Sequence, residues 1–278
     1  MPELPEVETI RRRLAPLVQG RTLTAMQIAD PRWCEPLHPS ALTDALVGRR
    51  IERLDRRGKY LIWEAQDEVF LLLHLRMTGT VLYDPAPETP YVRVRLTLDD
   101  GHRLSFADPR RFGTGELALG RPALDAFFKA RLGIEPLGAH FTSDHLFTLT
   151  RNRRTPIKAF LLDQRRIAGV GNIYANEALF RARIHPLRAT GQLKRRQVAA
   201  LRDAIIGALS AGVDAGGASI DDFRHPDGVK GAFQNEFLVH DRAGQPCMVC
   251  GATVVKFVAA GRGTYACERC QPKPRRRP

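Results

Sequence analysis

Met1-Pro2-Glu3 opens the chain, and Glu6 follows three residues later. A methionine ahead of a proline is normally trimmed, so the expectation is a terminal Pro2 with a free secondary amine. Such an amine titrates near ~8 and is partly unprotonated at neutral pH. Its attack on an aldehyde-like carbon gives a charged iminium, an electron sink that weakens neighbouring C–H and C–O bonds. Glu3 and Glu6 lie within reach for proton transfer. The same residues also read as a processed terminus ahead of an ordinary helix with exposed glutamates. Lys59, in Arg57-Gly58-Lys59-Tyr60-Leu61, falls at a hairpin tip, where a solvated turn lysine is the plain reading.

Cys247-x2-Cys250-x16-Cys267-x2-Cys270 has the spacing of a four-thiolate zinc site. Each short pair grips one side of a tetrahedron and the residues between return as a hairpin. Four thiolates saturate one zinc ion and leave no place for water, so the metal is structural. A disulfide framework does not suit a chain without a secretion signal. Lys256, Arg262 and Lys273 lie in or beside this module, and Gly261-Arg262-Gly263 suits a hairpin tip. On the module alone, a contact to nucleic acid and a contact to protein stand equal. Cys34, outside the motif, reads as a small, partly buried side chain.

These residues need elements to hold them. Leu4 to Val18 reads as an amphipathic helix with a stripe of Val7, Ile10, Leu14 and Leu17, stopped near Gly20. Its dipole directs positive charge at whatever binds the terminus. From Thr22 to about Leu119 the pattern is strand, with Leu61–Trp63, Val69–Leu73 and Tyr91–Leu98 the clearest runs and a short helix near Ser40–Val47. Helical pattern follows a linker at Gly133–His140, with helices expected over Ser143–Thr150, Pro156–Asp163, Asn172–Arg181 and Lys194–Ala215. Ala215–Gly231 is a glycine-rich loop, and Pro272–Pro278 reads as a basic tail. The boundaries expected are 1–132, 133–231 and 232–278.

Three further constellations stand out. Gly169-Val170-Gly171-Asn172 is a turn feeding a helix start, where free N–H groups can hold a phosphate and Asn172 can join them or cap the helix. His74-Leu75-Arg76-Met77 and Asp108-Pro109-Arg110-Arg111-Phe112 each follow a strand. Met77 and Phe112 beside arginines suit apolar wedges entering a base stack, or simple packing.

The net charge is +13 over 278 residues, enough chain for two domains with a real core. Basicity of that size points to a polyanionic partner, nucleic acid first. No stretch is long and apolar enough to span a bilayer and no signal peptide is apparent, so a cytoplasmic, nucleoid-associated protein without a membrane partner is expected.

The run Pro2-Glu3-Leu4-Pro5-Glu6-Val7-Glu8-Thr9, the lysine hairpin, both wedge loops, the turn through Asn176-Glu177 and the four cysteines resemble, in order, bacterial formamidopyrimidine-DNA glycosylase. The resemblance covers essentially the whole chain. It implies an α+β fold: a β-sandwich N-terminal domain and a helical, helix–two-turn–helix C-terminal domain with a four-cysteine zinc finger, binding damaged double-stranded DNA as a monomer. It implies excision of oxidised purines (8-oxoguanine, formamidopyrimidines) and strand cleavage by β,δ-elimination. In that reading Pro2 is the Schiff-base nucleophile, Glu3 and Lys59 are proton donors, Glu6 orients the network, and Arg262 serves δ-elimination and a phosphate. Met77, Arg111 and Phe112 fall on the intercalating triad. His74, Arg154, Lys158 and Asn172 fall on DNA contacts, and Ser219 on the loop that closes over the everted base. Tyr91 stands where the family often has histidine, and Asp221–Asp227 matches only loosely. The alternatives are an endonuclease VIII-type enzyme for oxidised pyrimidines and a non-catalytic zinc DNA-binding protein.

Overall fold

The computed structural model describes residues 1–219 and 225–274. Of the loop Asp221–Asp227, the part 221–224 lies outside the described residues, as does 275–278 of the basic tail. By contacts the chain divides into two units, 1–131 with 215–232, and 132–214 with 233–278.

The first unit opens with α1 (Leu4–Val18), which packs Val7, Ile10 and Leu14 inward. It continues through β1 (Leu23–Ile28), α2 (Pro39–Leu46), β2 (Ile51–Arg57), β3 (Tyr60–Ala65), β4 (Val69–His74), β5 (Thr80–Tyr83), β6 (Val92–Leu98), β7 (Arg103–Ala107), β8 (Thr114–Leu119) and α3 (Arg121–Arg131). Two antiparallel four-stranded sheets form, in the orders β1-β6-β7-β5 and β2-β3-β4-β8. Leu61, Trp63, Leu71 and Leu73 of the second sheet share one core with Met26, Val94, Leu96 and Phe106 of the first. Alternate residues on each strand face that core, which is the sandwich expected.

α3 was not anticipated. Leu124 and Phe128, four residues apart, are its buried stripe, and Tyr60 meets the rings of Phe127 and Phe128 edge-on at 5.5 and 5.7 Å. The helix covers the outer face of the second sheet. β4, an inner strand between β3 and β8, is buried at every position and reads as a continuous apolar run rather than an alternating one.

The second unit holds α4 (Ser143–Thr150), α5 (Ile157–Leu162), α6 (Asn172–Arg181) and α7 (Arg195–Asp214), then the hairpin of β9 (Val255–Ala259) and β10 (Arg262–Ala266). The expected helices are present within a residue or so of each end. The glycine-rich loop groups with the first unit, whereas the sequence placed it with the helices. Hydrogen bonds explain this: Ala218 N–H reaches Glu6 at 2.7 Å, Tyr83 N–H reaches Pro226 O at 3.0 Å, and Arg13 pairs with Asp227. Among the described residues no helix is long and apolar enough to cross a membrane.

Candidate active site and nucleic-acid interface

At the start of α1, Glu3 is the N-cap residue and Pro5 sits in the first turn, where its missing N–H is no loss. Glu6 closes the cap: its Oε2 accepts the Glu3 N–H at 2.7 Å. Its Oε1 accepts the Ala218 N–H. One carboxylate thus binds the helix start to the base of the glycine-rich loop. Pro2, Glu3 and Glu6 are all buried, so the exposed-glutamate reading fails. With Met1 attached, the Pro2 nitrogen is an amide, and the amine exists only once Met1 is gone.

One turn on, Glu8 gathers three guanidiniums, from Arg11, Arg12 and Arg56, at 2.8 to 3.1 Å. Burial would raise its pKa, but the hydrogen bonds and charges of these arginines outweigh it and hold the carboxyl at about 2. Arg56 also donates from Nη1 to Gly58 O at 2.9 Å. The two-residue turn Gly58-Lys59 between β2 and β3 is therefore tied back to α1. Gly58 supplies the positive φ of 55° that such a turn needs at its first position. Lys59 is only 5 % exposed, not a solvated turn lysine. His74 pairs across the strands with Tyr60, ring to ring at 4.6 Å. Burial first, then the charges of Arg76 and Lys59, push its pKa down to about 3, so it is neutral at pH 7. Its Nδ1 accepts the Arg76 N–H at 3.0 Å.

The wedge candidates do not behave as core. Phe112 is half exposed, with the Arg110 guanidinium 4.9 Å from its ring centre. Met77 is half-buried, and Arg111 and Tyr91 are exposed with left-handed φ of 59° and 61°. Arg111 Nε lies 3.6 Å from Asp30 Oδ2. Ser219 Oγ accepts the Gly231 N–H at 2.8 Å, closing the two ends of the glycine-rich loop on each other.

In the second unit the structure brings Lys158, Asn172 and Arg262 to one place. Lys158 is fully buried; its Nζ donates to Gly263 O at 3.1 Å and to Thr264 Oγ1 at 2.6 Å. These bonds hold the hairpin from within. Asn172 does not cap α6, whose N-cap is Gly171. Its Nδ2 donates to the same Gly263 O at 3.1 Å, and its Oδ1 has no partner among the described residues. The hairpin tip is Ala260-Gly261, both with positive φ (53° and 66°), the pairing a type I′ turn requires. Arg262 begins β10 exposed to solvent, and Arg154 is exposed before α5. The four Sγ atoms of Cys247, Cys250, Cys267 and Cys270 all lie within 4.8 Å of one another. Tetrahedral zinc at about 2.3 Å from each sulfur separates them by roughly 3.8 Å, so the cage fits.

Three family models cover most of the chain. The formamidopyrimidine-DNA glycosylase N-terminal domain matches residues 1–115, the H2TH domain of the same enzymes matches 132–224, and the zinc finger found in FPG and IleRS matches 244–273. The chain belongs to the formamidopyrimidine-DNA glycosylase family. The enzyme of that name from Chloroflexus aurantiacus is 46 % identical, over 98 % of each chain. That of Heliobacterium modesticaldum is 42 % identical, over 98 % of this chain and all of its own. Among solved structures, a Lactococcus lactis FPG mutant in complex with a Fapy-dG containing DNA matches at a TM-score of 0.92 and 37 % identity, over 98 % of this chain and 100 % of that one. The Thermus thermophilus MutM (FPG) protein matches at 0.89 and 42 %, over 99 % and 100 %.

The glycosylase family's zinc finger and the sulfur cage agree on one structural Zn²⁺. Sequence reasoning missed what stands behind this finger. Glu177 is fully buried and accepts the N–H groups of Leu238, Val239 and His240 at 2.9 to 3.0 Å. Burial raises its pKa against the lowering effect of those bonds. Glu8 and Asp108, both buried, were missed likewise. A glutamate near arginines, or an aspartate before a proline, carries no mark in the chain that says it will be buried.

Proposed function

We propose that this glycosylase excises oxidised purines from duplex DNA and then cuts the strand at the vacated sugar. The observation that carries the reading is the start of α1, where Pro2, Glu3 and Glu6 are buried together and tied to the glycine-rich loop. A lesion inside a duplex is out of reach, so the nucleotide is flipped out at roughly a few kcal/mol, less at a damaged pair. Met77, Arg111 and Phe112 fill the space it leaves. Pro2 nitrogen, freed of Met1, attacks C1′ while Glu3 protonates the ring oxygen. The base departs with the electrons of its bond to C1′, the ring opens, and a Pro2–C1′ iminium remains. The iminium acidifies the C2′ proton. β-Elimination expels the 3′ phosphate, with Lys59 managing protons, and δ-elimination expels the 5′ phosphate, with Arg262 as donor and phosphate ligand. Glu6 orients the terminus. His74, Tyr91, Arg154, Lys158 and Asn172 serve the DNA backbone directly or through the hairpin, and Ser219 shapes the loop that meets the base. The nucleoid is where such a substrate lies.

Binding that leans on phosphates weakens steeply with salt. The chemistry is tested with a chain carrying one extra residue before Pro2. It keeps every side chain and loses only the amine. It is expected to bind damaged DNA with near-normal affinity, yet neither cut it nor be trapped on it by borohydride. A borohydride adduct of the blocked chain that Lys59→Ala abolishes would move the nucleophile to Lys59.

A further inference from the structure

Beyond Glu3 and Glu6, α1 carries a third buried glutamate, Glu8. Its Oε2 accepts Arg11 Nε at 2.9 Å and Arg56 Nε at 3.1 Å. Its Oε1 accepts Arg11 Nη2 and Arg12 Nε, each at 2.8 Å. Arg11 and Arg12 sit on α1 itself, whereas Arg56 comes from β2 and leads off the helix. While its Nε faces Glu8, its Nη1 donates to Gly58 O at 2.9 Å. That oxygen belongs to the peptide unit joining Gly58 to Lys59. The guanidinium thus spans from the helix to the backbone that carries the lysine.

Arginine is the side chain this span requires. Its planar fork makes two directed bonds at once, here one to a carboxylate and one to a carbonyl; a lysine ammonium is a point charge on a flexible stem. Glu8 is charged at pH 7, its pKa held at about 2 by its arginines against the raising effect of burial. Bonds to a charged oxygen are short and strong, and a buried network rigidifies what it holds. The peptide plane ahead of Lys59 is therefore fixed twice, by the turn at Gly58 with its φ of 55° and by Arg56.

We propose that Glu8 and Arg56 are positioning residues for Lys59, and that strand cleavage depends on them more than base release does. The inference rests on the assignment of Pro2 as nucleophile and of Lys59 to the elimination steps. Neither Glu8 nor Arg56 touches substrate. α1 starts at the Pro2 nitrogen, and the same helix holds the lysine turn through Glu8 and Arg56. Nucleophile and lysine are thus referred to one rigid element. Attack at C1′ and departure of the base use the start of α1; elimination needs Lys59 in place as well.

The test follows one 8-oxoguanine duplex by free base released and by strand cut without alkali, with borohydride trapping as a third readout. Arg56→Gln removes the guanidinium, and Glu8→Gln keeps the size but turns an NH₂ against the arginines. Each is expected to slow strand cutting by about 10- to 100-fold while base release stays within about threefold. Uncut, alkali-labile strand should accumulate. The fraction of chain trapped by borohydride should not fall, because the iminium forms and is not consumed. Arg56→Lys keeps the charge and should fail as Arg56→Gln does; full rescue by lysine would overturn the geometric argument. Arg12→Gln takes an exposed arginine from the same carboxylate without touching the span, and should cut like the parent chain. If Glu8→Gln does not fold, the two Arg56 variants carry the test. Lys59→Ala separates the two ideas. If it slows cutting and the Arg56 and Glu8 variants do not, these residues have no such role and Lys59 keeps its own. If Lys59→Ala leaves cutting untouched, the assignment of the lysine is wrong and this inference falls with it. Parallel loss of base release and cutting, with a lowered melting temperature, would make Glu8 and Arg56 stability residues only.

Discussion

The start of α1 and the tip of the zinc hairpin each carry one residue to which the proposed chemistry gives a role, Pro2 and Arg262, but they are braced in different ways. The α1 terminus stands on a large apolar core and is fine-tuned by carboxylates: Glu6 fixes the cap and the loop, and Glu8 with Arg56 fixes the lysine turn. The hairpin has a small core, chiefly Phe180, Val239, Val254 and Tyr265 beside two of the cysteines. A metal supplies what apolar area cannot, and a buried ammonium orients the tip. Where hydrophobic burial is ample, polar groups set direction; where it is scarce, they hold the element together.

Removing zinc is the most severe way to break the second arrangement while sparing the first. Structural zinc binding is worth on the order of 10 kcal/mol of folding free energy in small modules. Cys250→Ser is expected to lose the metal and most DNA affinity while the sandwich still unfolds cooperatively near its normal temperature. Elemental analysis and calorimetry check this; full DNA affinity in metal-free protein would refute it.

Acid probes both regions through buried neutral histidines. Burial lowers His74 to about 3 and His240 to about 4. Below pH 6.5 the unfolded chain takes up protons that the folded chain refuses. Stability from these groups is thus intact above about 6.5 and falls as pH drops toward their folded values, by about 1.4 kcal/mol per pH unit for each. His74→Gln should flatten the slope of the melting temperature between pH 6 and 4 for the first unit and leave that of the second. An unchanged slope would mean that His74 is not held neutral.

The smallest effect concerns Lys158. A buried charge replaced by an apolar chain of similar size is often neutral. Lys158→Met should change stability by no more than about 1 kcal/mol, yet weaken DNA binding several-fold, because Gly263 O loses a donor and the tip its orientation. If binding is unaffected, the hairpin is set by the metal and Asn172 alone.

Much of this architecture was legible in the chain. The stripe Val7, Ile10, Leu14 announced α1, the alternation from Val92 to Leu98 announced β6, and the cysteine spacing announced the zinc site, because each is a local periodicity or a short loop closure. α3 escaped because its buried stripe is only Leu124 and Phe128 in a helix rich in charge. That Lys59 and Lys158 would be buried was not legible, since a lysine does not reveal its neighbours.

By itself, then, the order of residues determined which groups are available: an amine once Met1 is removed, carboxylates close behind it, four thiolates for one metal, arginines in two loops. Tertiary structure alone decided which of them would be buried and what they would hold. Glu6 reaches Ala218, Lys158 reaches Gly263 and Thr264, and Asp108 draws Thr78 and Phe112 together. Contacts between residues so far apart in sequence are set by how sheets and helices stack, and desolvation, which makes a paired carboxylate or ammonium so specific, exists only once that stacking has occurred.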